Sequence, residues 1–499
     1  MPLPADAYGG PVTITVRRTP VELLPGSTRV LGRPHVPGDE PGATGPTRVE
    51  RIVLGVRALS AEQVAAELAD VAARFAGRHR DLDLMLTRNA ERARPLLEGC
   101  TPEQCRLVGA YLTQEHAFES AALTNPSMVP APDQTGVPAG SQRFLLSLRA
   151  IGEGHLSSIT FRSGVVDADG GVVVDEVGPL VETGERRSAV HERRHFAHKL
   201  LELGADVGCT GRVMDPLPRH FTTEELEQAL PVLEDLPRAV THESEKLMRW
   251  LAASNYVLKF DGSTTPLAER LLWPEGPFES RGMEDARFVH YTNEDGSSTY
   301  YATYTAYDGF TILPQLLETN DFTRFEVSTL TGRSARNKGM ALFPRAVDGR
   351  YVALSRPDRE NIHLIRSDDV RSWESPSVLL RTPQHPWESI QMGNCGSPIE
   401  TEQGWLVLTH GVGPMRTYRI GALLLDLDHP ERILADLPDP VLEAGDDERN
   451  GYVPNVVYSC GGMRHDDHLV LPYGASDQST RVATLSISGL LEELDAHRV

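Results

Sequence analysis

The chain has 499 residues, a formal net charge of −21 and an apolar content of 40%. That length suits one large domain with additions or two to three average ones, with enough apolar residues for a sizeable core. The acidic balance argues against nucleic acid or an anionic membrane as the main partner, because both select basic surface, and it still leaves room for a local basic pocket.

The opening residues, MPLPADAYGG, show neither a basic n-region nor an apolar h-region, and no later run is long and apolar enough to span a bilayer. The five cysteines (Cys100, Cys105, Cys209, Cys395 and Cys460) are scattered and form no CxxC pair, so neither a disulfide framework nor a zinc site is expected. The cytoplasm is the expected compartment.

Residues 10–58 mix short strand patterns (VTITVRR, RIVLGVRAL) with Pro/Gly loops. At Ser60-Ala-Glu-Gln63 the period changes. A capping box there leads into Val64, Leu68, Val71 and Phe75 at helical spacing. A second box, Thr101-Pro102-Glu103-Gln104, predicts a helix running to about Glu119. Strand-like patterns begin at Asn125 and break at Gly184. Helices are expected over Ser188–Leu203, Thr222–Leu233 and Thr241–Ala253, and the β pattern then resumes from Tyr256 to about Ile487.

Five stretches of this β region read alike: Ala139–Ala150, Glu294–Ala306, Val347–Pro357, Glu402–Gly411 and His465–Ala475. Each is a polar turn followed by a half-buried strand. Repeated hairpins point to a radial all-β architecture. Equivalent units would bring the strand-end residues Arg149, Tyr304, Arg356, His410 and Tyr473 around one axis, which suggests an anion site beside a polar substrate.

Two constellations carry chemistry. Arg281-Gly-Met-Glu-Asp-Ala-Arg287 sets two adjacent carboxylates between two arginines where a strand begins, which taken alone fits a salt-bridged turn as well as a site. His191-Glu-Arg-Arg-His195 is a literal HExxH, the pattern of zinc peptidases when it lies on a helix. Its surroundings, ERRSAVHERRHFAHK, are very polar and resemble a solvated helix more than a zincin helix. Cys395 beside small residues reads as packing, and Trp387 and Trp405 fit either a core or a sugar platform.

GMEDAR resembles the GxEDPR motif of glycoside hydrolase family 130, with Ala286 where proline is usual. RNKGMALFPR, LSRP, GSPIETEQGWLVLTHGV, YRIGALLLDL and the closing YGASD follow in order. The resemblance implies an all-β fold, a five-bladed β-propeller over residues 121–490. An N-terminal strand and helical extension (1–120) precedes it, and a helical insertion interrupts it at about 185–254. It further implies inverting cleavage of β-mannosides. Asp285 matches the catalytic acid. Arg336, Arg356, His410 and Tyr418 match the cluster that holds inorganic phosphate. Asn125, Arg149, Glu284, Arg287 and Asp477 fall at the substrate.

Elementary chemistry agrees with those roles. Direct displacement at an anomeric carbon needs an acid on the leaving-group side and a nucleophile on the opposite face. Water needs a second carboxylate as base, whereas phosphate needs cationic donors that fix it. No carboxylate replaces Arg356 or His410. The expectation is phosphorolysis of a β-linked mannooligosaccharide or mannosyl-disaccharide to α-mannose 1-phosphate. Inorganic phosphate serves as co-substrate, and no metal or organic cofactor is implied. The alternatives are an inverting β-mannosidase that uses water, a zinc metallopeptidase through HERRH, and a non-catalytic sugar-binding propeller. Linkage, acceptor sugar and oligomeric state, including a homo-oligomer, stay open.

Overall fold

The computed structural model describes residues 14–40 and 44–499, so the MPLPADAYGG segment and the first residues of VTITVRR lie outside the described residues. Apart from a helix near the C-terminus, Ile487–Asp495, the α-helices come in two groups. The first comprises Arg48–Ala58, Ala61–Phe75, Leu82–Ala90 and Pro102–Tyr111, and the second runs from Arg193 to Ala253. The RIVLGVRAL segment is a correction: it is helical, not a strand. Thr47 and Glu50 close a capping box around its first turn, and Val53 and Val56 turn inward onto Val64, Leu107 and Val108. Val49, Ile52, Val53 and Val56 follow the helical period, which the β-branched content hides. The helix begun at Pro102 stops at Tyr111, and Thr113–His116 continues as a strand paired with Leu31–Pro34.

The rest is mostly β, in five antiparallel units. The first holds Ala122–Pro130, Gln142–Ile151 and Ser157–Val166. The second holds Gly282–Thr292, Ser298–Tyr307, Ile312–Thr319 and Arg324–Thr329, extended by Tyr256–Lys259 and Glu185–Ser188. The third holds Ala341–Leu342, Tyr351–Ser355, Ile362–Ser367 and Val378–Arg381. The fourth runs from Gln391–Asn394 through Gly404–Gly413 and Thr417–Leu425 to Ile433–Asp436. The fifth contains Val457–Tyr458, His468–Ala475 and Ser479–Ser486, and its outer strand is Arg17–Leu23 from the other end of the chain.

Successive units touch through strands and turns near their inner edges. Ser157 bridges to Gly282, and the Ser127 hydroxyl accepts from the Phe288 N–H. Thr292 bridges to Arg345, and the Met392 N–H donates to the Glu360 carbonyl. Gly396 lies so close to Cys460 that a Cβ there would meet its carbonyl at 2.3 Å. The Cys460 N–H then donates to the Pro126 carbonyl, joining the fifth unit to the first.

A buried glutamate stands ahead of four of these units. Glu119 accepts from Arg29 and Arg162. Glu279 accepts from the Tyr256 and Tyr304 hydroxyls. Glu388 accepts from Arg381 and from the Gln384 and His385 N–H groups. Glu448 accepts from Tyr473, Arg18 and the Gly445 N–H. Tyr304 and Tyr473 are therefore spent on these tethers and do not join Arg149, Arg356 and His410 around a common centre.

Removing one partner of a buried pair leaves an uncompensated charge and costs about 3–5 kcal/mol. Glu119→Ala strands both Arg29 and Arg162, which are almost wholly buried. It should lower the unfolding free energy by about that amount, read from the midpoint of urea unfolding at unchanged slope.

Candidate active site

Asp285 sits in a bulge where the first strand of the second unit slips register against its neighbour between Glu284 and Arg287. Its backbone is left-handed (φ 55°), a conformation that Asp and Asn tolerate best among residues with a side chain. Asn125, in the matching bulge of the first unit, is also left-handed (φ 49°). Its side-chain amide donates to the Asp285 carboxylate. Among the described residues, ten of the thirteen non-glycine residues with positive φ cluster at this end of the units: Asn125, His155, Asp285, Asn337, Arg359, Met415, Arg416, Asn455, Ser476 and Asp477. Strained backbone concentrates where geometry serves a site.

Cations surround the two carboxylates. Arg149 donates to Glu284 at 2.6 Å and lies 3.6 Å from Asp285. Lys338 pairs with the other Glu284 oxygen. Burial alone would push the Asp285 carboxyl up, but Arg149, Arg287 and Lys338 together hold it below the usual carboxylate range. Asp477 goes the other way. Burial raises it, and the nearby Asp285 charge adds to the rise. The Thr124 hydroxyl donates to it at 3.2 Å.

Arg287 links this carboxylate site to a second pocket. Its guanidinium donates to the Asp285 and Cys395 carbonyls and, at 2.6 Å, to the Tyr458 hydroxyl. Tyr458 packs on His410 with ring centroids 4.8 Å apart, and His410 stacks against Tyr418 at 6.3 Å. Arg356 and His410 meet over Gly393, where an added Cβ would lie 2.7 Å from both. The Arg356 Nε, the His410 Nδ1 and both polar atoms of the Asn394 side chain are buried without a partner. Unpaired buried donors are rare and expensive, so they mark a place for a polar ligand. Burial first, then Arg356 and Arg287, pull His410 well below the ordinary imidazole value. Asp358, a carboxylate whose charge reaches Arg356, is already engaged by Asn361 and His363.

The structure thus gathers Asn125, Arg149, Glu284, Asp285, Arg287 and Asp477 into one group, and Arg356, His410 and Tyr418 into a neighbouring one. Arg336 joins neither: it is exposed, and its charge is felt by Lys199 in the helical insertion. Tyr458, Lys338 and Asn394 were missed as site residues. Lys338 lay inside the RNK motif already singled out. Asn394 was signalled by a repeat, in which Phe118-Glu-Ser120, Phe278-Glu-Ser280 and Trp387-Glu-Ser389 each precede Asn125, Asp285 or Asn394 by the same interval. Tyr458 had no such mark. Trp387 and Trp405 are core residues whose indole N–H groups donate to the Pro438 and Leu427 carbonyls. Cys395 is buried and free.

The HERRH motif does not form a zincin helix. His191 and Glu192 lie on a two-residue strand paired with His220–Phe221, and the helix starts at Arg193. The His191 ring is buried against Phe196 and Phe221, and burial pulls its pKa down to about 4. His195 instead points to Asp369 at 3.0 Å, and His198 to Glu374 at 2.8 Å.

The family model described as beta-1,4-mannooligosaccharide phosphorylase matches residues 256–496. The 1,2-beta-oligomannan phosphorylase of Thermoanaerobacter sp. (strain X514) is 33% identical over 254 residues, covering 49% of this chain and 82% of that protein. The beta-1,2-mannobiose phosphorylase of Listeria innocua is 33% identical over 242 residues, covering 47% of this chain and 66% of that protein. The beta-1,4-mannooligosaccharide phosphorylase of Ruminococcus albus is 28% identical over 173 residues, 32% of this chain and 51% of that protein. Fold, site and similarity define a mostly β protein of the glycoside hydrolase class. The chain belongs to glycoside hydrolase family 130.

The His195–Asp369 pair ties the insertion to the third unit and makes that contact pH-dependent. The hydrogen bond that His195 donates to Asp369 is the main cause that raises its pKa above the ordinary imidazole value. A raised histidine contributes stability fully below its unfolded value and loses it as pH rises through the folded one. Amide exchange along Arg193–Glu202 should therefore quicken as pH climbs past that point, after correction for intrinsic rates, and Asp369→Asn should flatten the dependence.

Proposed function

We propose that the chain is an inverting β-mannoside phosphorylase that transfers a mannosyl unit to inorganic phosphate and releases α-mannose 1-phosphate. The observation that carries this reading is the pair of buried nitrogens without partners, Arg356 Nε and His410 Nδ1, in a pocket where Asp358, the carboxylate whose charge reaches Arg356, is already engaged. Such a pocket suits an anion, which brings its own nucleophilic oxygen, and offers water no base. Arg287 touches both the Asp285 backbone carbonyl and Tyr458, which sets the two groups side by side, and inversion requires the nucleophile and the acid on opposite faces of the sugar held there. Asp285 is the proposed acid, with Asn125, Arg149, Glu284 and Asp477 holding the mannosyl unit. Tyr458 is a further anion ligand: its oxygen already accepts from Arg287, leaving its hydrogen free to donate.

We read the five units as the blades of one five-bladed β-propeller. Contacts from each unit to the next, and from the fifth to the first, support that reading, with Arg17–Leu23 as the outer strand of the last blade. Residues 1–120 then form an extension and about 185–254 an insertion. Relatives named for β-1,2-linked mannosides share 33% identity with the chain and two named for 4-linked mannosides share 28%, so β-1,2-mannobiose is the first substrate to test.

Cleavage of β-1,2-mannobiose should require phosphate and yield mannose 1-phosphate. Free mannose released equally fast without phosphate would replace this reading with a hydrolase. Arg356→Ala removes a charged donor worth about 1.5–3 kcal/mol and should raise the KM for phosphate by one to two orders of magnitude. Asp285→Asn keeps the shape and loses the proton, and should cost about two to four orders of magnitude in kcat.

Asp285 is held ionised and His410 neutral. A phosphate dianion favours protonation of both groups, so its binding should take up protons near neutral pH. Calorimetry in buffers of different ionisation enthalpy reads that uptake, which should shrink in His410→Gln.

A further inference from the structure

The turns at the two ends of the units differ in chemistry. Those at the end away from Asp285 are acidic and small: Asp169-Gly170, Asp295-Gly296, Asp348-Gly349, Glu402-Gln403 and Asp466-Asp467. Those at the Asp285 end carry large side chains held out into solvent. Phe310 is 97% exposed and Met415 89%, and Tyr452 and His155 meet there across two turns, with the Tyr452 hydroxyl 3.0 Å from His155 Nδ1.

These tips are built, not loose. At Phe310, the Asp308 carboxylate accepts from the Phe310 and Thr311 N–H groups, and the Tyr307 hydroxyl donates to the Gly309 carbonyl. Gly309 takes φ +103°, which a side chain would resist, and lies against Arg281. Met415 and Arg416 are both left-handed, which is strained for residues of their size. A rigid turn that displays an aromatic ring with nothing packed on it gains nothing for the fold.

Strand register locates the tips. Gly282 pairs with Tyr307, and Asp285 is three residues farther along the same strand. At about 3.3 Å per residue, the hairpin end stands about 10 Å beyond Asp285, with Phe310 past it. Met415 caps the hairpin whose two strands carry His410 and Tyr418. The tips therefore ring the opening above both pockets, outside the sugar unit that the Asp285 network would hold.

We propose that Phe310 and Met415 are specificity-determining residues: platforms for the sugar units on the leaving-group side of the scissile bond, so that chains longer than the disaccharide bind better. This rests on the phosphorylase reading. Pyranoses present flat C–H faces that stack on aromatic rings and thioethers, and a polar site rimmed by such faces is how a groove grips successive sugars. The tips stand on separate turns around a polar opening and do not merge into the continuous apolar face that a second copy of the chain would need.

The test compares Phe310→Ala and Met415→Ala with wild type on β-1,2-mannobiose and β-1,2-mannotriose. Both residues are so exposed that the variants should melt as wild type does. The trisaccharide KM should rise about tenfold, the disaccharide KM less, and the phosphate KM should change little; Phe310→Trp should restore the trisaccharide value. Unchanged trisaccharide KM in both variants overturns the proposal. So does a change in molecular mass by light scattering with sugar kinetics intact, which would make the tips a subunit interface. If wild type releases no mannose 1-phosphate, the phosphorylase reading fails on its own. Calorimetric binding of mannotriose to Asp285→Asn, with and without Phe310→Ala, then still decides the platform, because a tenfold loss supports it and equal affinity rejects it.

Discussion

Two adjacent carboxylates with almost no water around them are the constraint on which the site is built. Glu284 and Asp285 repel each other, and burial penalises both charges. They remain tolerable only because Arg149 and Lys338 divide the Glu284 oxygens, while Arg287 and Asn125 face Asp285. These partners come from three different units. The pair therefore exists only in the assembled protein, and the assembly is in turn held to one geometry by the need to compensate the pair.

The same logic recurs at the starts of the units. Glu119, Glu279, Glu388 and Glu448 are each buried, and each collects donors from its own turn or from strands far away in sequence. A carboxylate with several good donors makes one arrangement much better than its neighbours, because any slip leaves a buried charge unpaired. Six residues after three of these glutamates comes an Asn or Asp, and two of those three, Asn125 and Asp285, are left-handed and meet in the site. The tether thus fixes where each first strand begins, and the bulge that follows aims a short polar side chain at the centre.

Around the centre, charge separates by position. The whole chain is strongly acidic, yet burial and the like charge of Arg287 press on Arg356, and burial with these two arginines keeps His410 neutral. Burying polar atoms without partners in such surroundings costs folding free energy. Local cost at a site is what a protein accepts where an incoming ligand relieves it. The far-end turns, by contrast, are ordinary solvated Asp-Gly and acidic turns, and they account for part of the net charge without touching the site.

Polar turns and alternating strands were legible along the chain because their signals are local: a turn residue or a period of two needs no distant partner. So were the helices at Ser60 and Thr101, through their capping boxes. RIVLGVRAL misled because β-branched residues mask a helical period, and the helix expected from Ser188 starts only at Arg193 because a short polar pattern carries no information about where a helix begins. The charged motif at Arg281–Arg287, which alone fits a salt-bridged turn as well, marks Asp285 only together with the family resemblance. What the sequence could not decide was partnership. That Tyr304 and Tyr473 serve buried glutamates while Arg356 and His410 are left unpaired, that Tyr458 bridges to Arg287, and that Arg336 faces the insertion all depend on contacts between residues tens to hundreds of positions apart. Those contacts are set by unit-to-unit packing and desolvation, and neither has a signature in any local stretch of chain.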